Sequence, residues 1–326
     1  MIRRLRRASC LLALLGVVVS LSWIAGAQTG RITSYPLGQS FETIQEAIDA
    51  SPAMSTIVIR SGTYAEQLII DKPLTLLGRG QVALESPGVE TAADNVVLCI
   101  VEAEGVTIEN LRVEAGYTGI EVRRSSCSIV KCALDVSGVG IQIEARGSER
   151  VHVQECIVRH PKVPGRGAGI LILGAGSVDI RSCTFERLAT GVISSGLTAM
   201  LIHDCSFQDC FDSLVLSDLG ETVLIGNRFE RSYNVALRTG WTPQPYPGGL
   251  VGSLAFVDNV FLDSAQWGID LCVDVDDGTW RLNYEGLIVG TGNVIEDDGL
   301  GYGPYCPADY EWPEGFFAES EPATDE

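Results

Sequence analysis

The chain has 326 residues, with 42 Asp/Glu against 23 Lys/Arg and a formal net charge of −19. A surface this acidic repels phosphate backbones, so the composition excludes a nucleic-acid partner. It also repels polyuronates such as pectate or alginate unless a divalent cation bridges the two.

Residues 1–27 read as a signal peptide. Arg3, Arg4, Arg6 and Arg7 form a basic start, Leu11 to Ile24 an apolar run, and Ala25-Gly26-Ala27 a small-residue cleavage site. The run is too short for a typical spanning helix, and no later segment reaches 18 apolar residues. The expectation is a secreted or periplasmic monomer without a membrane span. Losing four Arg moves the formal charge to −23 and leaves nine cysteines.

Residues 28–55 read as an N-terminal cap. Phe41, Ile44, Ala47 and Ile48 fall at helical spacing after Ser40, a candidate N-cap. This short helix is expected to close the open end of the coiled region that begins near residue 56.

Residues 56–312 read as a repeat. One phrase, apolar-x-apolar-x-x-(Cys/Leu/Asn)-x-apolar, recurs with its sixth position at Leu111, Cys132, Cys156, Cys183, Cys205, Asn227, Asn259 and Asn293. The steps are 21, 24, 27, 22, 22, 32 and 34 residues, a period that marks a solenoid. A second phrase, Gly-apolar-x-apolar, lies between, as in Gly119-Ile120-Glu121-Val122 and Gly169-Ile170-Leu171-Ile172. Ser213 and Val235 take the glycine place in two coils. Short Ile/Val segments alternating with period 2 are strands, with glycine at corners. About 22 residues cannot form a hairpin per coil and stay in phase, but they suit one turn of a coil that pairs with its neighbours. The predicted fold is all-β, a right-handed parallel β-helix solenoid with a short N-terminal capping helix. A leucine-rich repeat shares the first phrase. The Ile, Val and Phe content and the strand-like second phrase count against it.

In such a coil Cys132, Cys156, Cys183 and Cys205 share one inward column. They form either a stack of buried thiols or adjacent-rung disulfides. Three coils carry extra length: residues 160–168, 239–252 and 271–286. The two larger insertions leave neighbouring coils at the same corner, where solenoids tend to place their working face. They hold Trp241, Tyr246, Trp280 and Tyr284, the predicted substrate-binding residues. Flat rings beside carboxylates suit a sugar, and the same rings also suit a seal over the solenoid's end. Asp274, Asp276 and Asp277 suit calcium, or simply a solvated acidic loop. A second groove candidate is the outward column of Asp179, Arg181 and His203, with Asp204 beside it, although strand neighbours point to opposite faces. Residues 313–326 read as an acidic disordered tail.

The run from Phe41 to Asp49, Thr56 to Ile59 and Gly62 to Glu66 resembles the opening of pectin methylesterases and NosD-like proteins. The later phrases resemble the repeats of the NosD and pectin-lyase-like group. The resemblance covers roughly residues 40–295. It implies a right-handed parallel β-helix, often one that acts on or binds polysaccharide. The group's catalytic phrases do not carry over: Gln208-Asp209-Cys210 lacks the rest of the esterase motif, and no Gly-His-Gly occurs. With three His and three Met, the chain is poor material for a copper chaperone. The function expected is binding of a carbohydrate or cell-surface glycan without catalysis and with no certain cofactor. The alternatives are a polysaccharide lyase or glycoside hydrolase with an unrecognised active site, and a structural envelope protein.

Overall fold

A computed structural model describes residues 31–87, 95–114, 117–135, 137–160, 165–196, 199–217, 220–239, 252–265, 267–270, 272–274, 280–282, 287–296 and 311–318. The leader lies outside the described residues. Among them, no helix is long and apolar enough to cross a membrane.

Among the described residues, twenty-seven strands join in one hydrogen-bonded sheet that winds as a coil, parallel except at its first strand, Ile32–Tyr35. Each coil contributes to three strand columns. The first column contains Glu104–Glu109, Ser126–Val130, Ala199–His203 and Glu221–Ile225. The second contains Arg112–Glu114, Ala133–Asp135, Thr184–Glu186 and Ser206–Gln208. The third contains Thr118–Arg123, Thr190–Ser195, Asp212–Ser217, Val235–Thr239 and Trp267–Asp270. Like residues stack because parallel register places each phrase on its copy: Ile129 faces Val153, and Phe207 faces Phe229. The solenoid reading therefore holds.

Alternation in the first two columns turns Ile, Val and Phe inward. Phe185, Phe207, Phe229 and Phe261 form a continuous stack, with centroids 4.8, 4.9 and 4.7 Å apart. These rings explain the glycine column. A Cβ on Gly191 would lie 2.6 Å from the Phe207 ring and 2.6 Å from the Ser213 carbonyl oxygen. One detail differs from the sequence reading. Val235 faces Asp212 in register, so Ala236 stands in the glycine column rather than Val235. The longer corner Arg231–Asn234 absorbs the extra residue.

Before each ladder residue the chain turns through the left-handed region. Asn110, Lys131, Glu155, Ser182, Asp204, Gly226, Asp258 and Gly292 have φ between 50° and 68°. Six of these are not glycine, and each such conformation costs free energy. Hydrogen bonding offsets the cost: Lys131 N–H donates to Gln154 O at 2.9 Å, and Asp204 N–H to Ile225 O at 3.0 Å.

The ladder is continuous. Cys132, Cys156, Cys183 and Cys205 are buried free thiols, as the stacked-thiol reading expects. Cys205 N–H then donates to Asn227 Oδ1 at 3.0 Å, and the column continues through Asn259 and Asn293.

The N-terminal helix α1 spans Ile44–Ala50 and buries Ile44, Ala47 and Ile48. Its N-cap is Thr43 rather than Ser40, because Thr43 and Glu46 make a reciprocal capping box. The Glu66 carboxylate also accepts from Ile44 N–H and Gln45 N–H at 3.0 and 3.1 Å, placing negative charge at the helix's positive end. At the other end the segment expected to hang loose from Pro313 begins as a plug. Phe316 is buried against Phe256 and Trp312, and Ala318 N–H donates to Asn293 O at 2.7 Å. Burial of an apolar side chain outweighs the acidic composition there. Residues 319–326 lie outside the described residues.

Candidate functional site

Among the described residues, the outward face of the third column carries a largely buried ion pair. In register, Val215 faces Arg238 and Arg238 faces Asp270, while Asp212 faces Val235. Two successive coils thus bring a base and an acid onto one face, while Asp212 lies one coil back at the corner where the column begins. Arg238 Nε lies 3.3 Å from Asp270 Oδ2, with the two side chains only 17% and 6% exposed. This contact is an ion pair without hydrogen-bond alignment, and Arg238 Nε makes no hydrogen bond among the described residues.

Asp212 is almost fully buried. Its Oδ1 accepts from Asn234 Nδ2 at 2.7 Å and from Val235 N–H at 3.3 Å. Burial pushes its carboxyl above the usual carboxylate range; the Arg238 charge and these hydrogen bonds offset only part of that. One carboxylate is therefore paired with a cation, and the other, at the corner where the column begins, resists ionisation.

The two larger insertions follow adjacent strands of this column. One departs after Val235–Thr239 and the other after Trp267–Asp270, which pair in register from Val235 and Trp267. Trp241, Tyr246, Tyr284, Asp276 and Asp277 lie outside the described residues. Asp274 and Trp280 fall in described backbone. The strands Cys272–Asp274 and Trp280–Leu282 pair antiparallel, with Asp274 opposite Trp280. The structure thus brings together the backbone of two predicted site residues. Sequence reasoning missed Arg238, Asp270 and Asp212. Asp270 stands in the phrase Gly268-Ile269-Asp270-Leu271 at an outward place, which is a legible signal. Arg238 was hidden by the one-residue shift at Val235.

The opposite edge of the same face begins at the corner preceding Asp212–Ser217 and Val235–Thr239. There Phe211 and Tyr233 are half exposed.

The second groove candidate is also assembled. His152 Nδ1 lies 3.5 Å and His203 Nε2 4.0 Å from the Asp179 carboxylate. Burial would raise the Asp179 carboxyl, but the Arg181 guanidinium outweighs it and holds it low. Arg181 already occupies both carboxylate oxygens, so this is a surface ion-pair column. His203 Nδ1 and Asp204 Oδ2 approach to 3.0 Å. Strand alternation forbids that pairing, yet Asp204 has left the strand in the left-handed corner. An open concavity of about 880 Å³ lies elsewhere, lined by Thr63, Gln81, Asn110, Arg112, Glu114 and Lys131 among others. Its lining has no aromatic ring, and its Arg112 is already held by Glu114 and Asp135.

The chain belongs to the right-handed β-helix family. The profile described as "Right handed beta helix region" matches residues 90–185 and 140–275, together more than half the chain. A "Cell surface glycoprotein" of Methanothermus fervidus is 30% identical over 126 residues, which is 38% of this chain. That match spans only 20% of the relative's own length. Among solved structures, the alginate lyase from Paenibacillus sp. str. FPU-7 is similar over 80% of this chain and 96% of its own, with 12% identity and a TM-score of 0.55. A pectin methylesterase in complex with a hexasaccharide is similar over 83% of this chain and 90% of its own, at 14% identity and a TM-score of 0.46. Likeness at such identity speaks to fold alone.

Proposed function

We infer that this protein is an exported, monomeric β-helix that binds a carbohydrate or cell-surface glycan on the outward face of its third column and does not turn it over. The observation that carries this reading is the Arg238–Asp270 pair beside Asp212, at the root of both large insertions. Clustered donors and acceptors with aromatic residues in the adjoining loops suit a hydroxyl-rich ligand. The name of the Methanothermus relative accords with a place at the cell surface. The test is affinity electrophoresis on a polysaccharide panel, comparing wild type with Trp241→Ala and Trp280→Ala. Retention of wild type and its loss in either variant is expected. Equal retention of all three would remove these loops from the site.

The raised Asp212 carboxyl favours a second reading, a polysaccharide lyase or glycoside hydrolase, because a carboxyl that holds its proton more tightly than usual suits general-acid work. New reducing ends or unsaturated products from the same panel would establish it. Calcium at Asp274, Asp276 and Asp277 remains part of the proposal, checked by calcium titration of the same retention.

A further inference from the structure

The corner between the second and third columns presents two aromatic rings to solvent. Phe211 and Tyr233 are 48% and 49% exposed, and neither has a ring partner among the described residues. Phe211 N–H donates to Leu188 O, and Tyr233 N–H donates to Cys210 O, both at 2.9 Å. The same bond one coil later sets the Tyr233 backbone beside that of Phe211 at the strand spacing, about 4.8 Å. Ala265 comes next in that column, held by its N–H on Ser232 O at 2.8 Å.

Each ring is followed in the chain by a fixed polar side chain. Asp212 follows Phe211 and Asn234 follows Tyr233, and the Asn234 amide donates to the Asp212 carboxyl at 2.7 Å. On the other side Arg231 is committed to Asp209 at 2.8 Å and to Glu230 at 2.6 Å. Among these five side chains Arg231 is the one cation, and the Asp209 and Glu230 carboxylates match it. A negatively charged ligand would meet net repulsion here. An uncharged sugar would not: its C–H face lies on an aromatic ring, and its hydroxyl rim meets the partly exposed Asp209, Glu230 and Arg231 side chains. An apolar protein surface would leave those polar groups unmatched.

We propose that Phe211 and Tyr233 form a stacking platform for two successive rings of an uncharged glycan, at the edge of the third column opposite the insertions. This inference rests on the glycan-binding reading and names the ligand class and two residues that touch it. Neither ring supports the core, so both can be removed from the folded chain.

The experiment is affinity electrophoresis of the full chain in gels of neutral glucan, xylan, mannan or galactan, with pectate and alginate gels alongside. The variants are Phe211→Ala/Tyr233→Ala and Tyr233→Phe, each checked by thermal melting. Wild type is expected to bind a neutral polymer, the double variant to lose about tenfold or more in affinity, and Tyr233→Phe to match wild type because the ring face does the binding. Equal retention of wild type and the double variant would overturn the platform while leaving glycan binding standing. Retention on polyuronate gels alone would overturn the uncharged-ligand assignment. No retention of wild type on any gel would overturn both this inference and the functional reading beneath it.

Discussion

Asn227 donates twice to Asn259 one coil further on: its backbone N–H and its side-chain amide both reach Asn259 Oδ1, at 3.0 and 2.9 Å. Asn259 repeats this on Asn293, at 3.0 Å for both bonds. All three side chains are fully buried. Removing Asn259 therefore leaves the buried Asn227 backbone N–H and one hydrogen of its amide without an acceptor, while that amide keeps its bond to Ile202 O. Each unsatisfied group costs about 1–3 kcal/mol. Asn259→Ala should lower the chemical-denaturation midpoint by an amount equivalent to about 2–6 kcal/mol. An unchanged midpoint would show that the ladder adds nothing to stability.

The phenylalanine stack predicts a matched pair of losses. Phe207 lies between Phe185 and Phe229, so Phe207→Ala should cost about 3–5 kcal/mol. Gly191→Ala should cost about 1–3 kcal/mol, because its Cβ meets both that ring and a backbone oxygen that cannot move freely. Equilibrium unfolding in urea measures both, and a neutral Gly191→Ala would refute the packing account of the glycine column.

Asp212 predicts a stability gain on neutralisation. Burial raises its folded pKa above the unfolded value of about 3.9. Its contribution is therefore fully present below that value and is lost as pH rises through the folded pKa. Asp212→Asn keeps an acceptor for Asn234 and Val235 while removing the charge. Thermal melting should show the variant more stable than wild type at pH 7 and equal to it near pH 3. The reverse order would mean that the carboxylate is well solvated or well paired.

Asp135 should behave oppositely. Burial alone would raise its carboxyl, but hydrogen bonds from Arg159 and Arg112 outweigh it and hold it below the usual range. Its stabilisation is present above about pH 3.9 and is lost as pH falls through the lowered folded pKa. Asp135→Asn should flatten the acid limb of the stability curve relative to wild type. An unaltered acid limb would count against these ion pairs.

The cysteine column should resist chemistry. Burial pushes the Cys127 and Cys210 thiols up to about 12, and Cys132, Cys156, Cys183 and Cys205 are equally hidden. Alkylation and then mass spectrometry should find all six unmodified in the native protein and all six modified in denaturant. Native labelling of any of the four stacked thiols would contradict a closed core.

Much of the fold could be read from single residues. The returning sixth position from Leu111 to Asn293 marked the coil, since parallel pairing repeats a residue type at every turn. The capping helix was found from Ile44, Ala47 and Ile48, but its start was placed three residues early. A side-chain carboxylate on the cap decides that start, and Glu46 and Glu66 act there through space. The site was less legible. The sequence drew attention to the insertions, which are rich in rings. The residues at their root, Arg238 and Asp270, stand 32 apart and meet only through coil register.

The sequence by itself determined the winding. Strand alternation, glycine corners and a period near 22 admit few other ways to bury Ile, Val and Phe, because hydrophobic burial depends on periodicity alone. Tertiary structure decided which outward residues become neighbours. One added corner residue between Asn227 and Val235 shifts a whole coil by one place, and a shift of one exchanges inward for outward. That shift set Ala236 against the rings and turned Arg238 to face Asp270, a pairing fixed by backbone hydrogen bonds between coils rather than by any pattern along the chain.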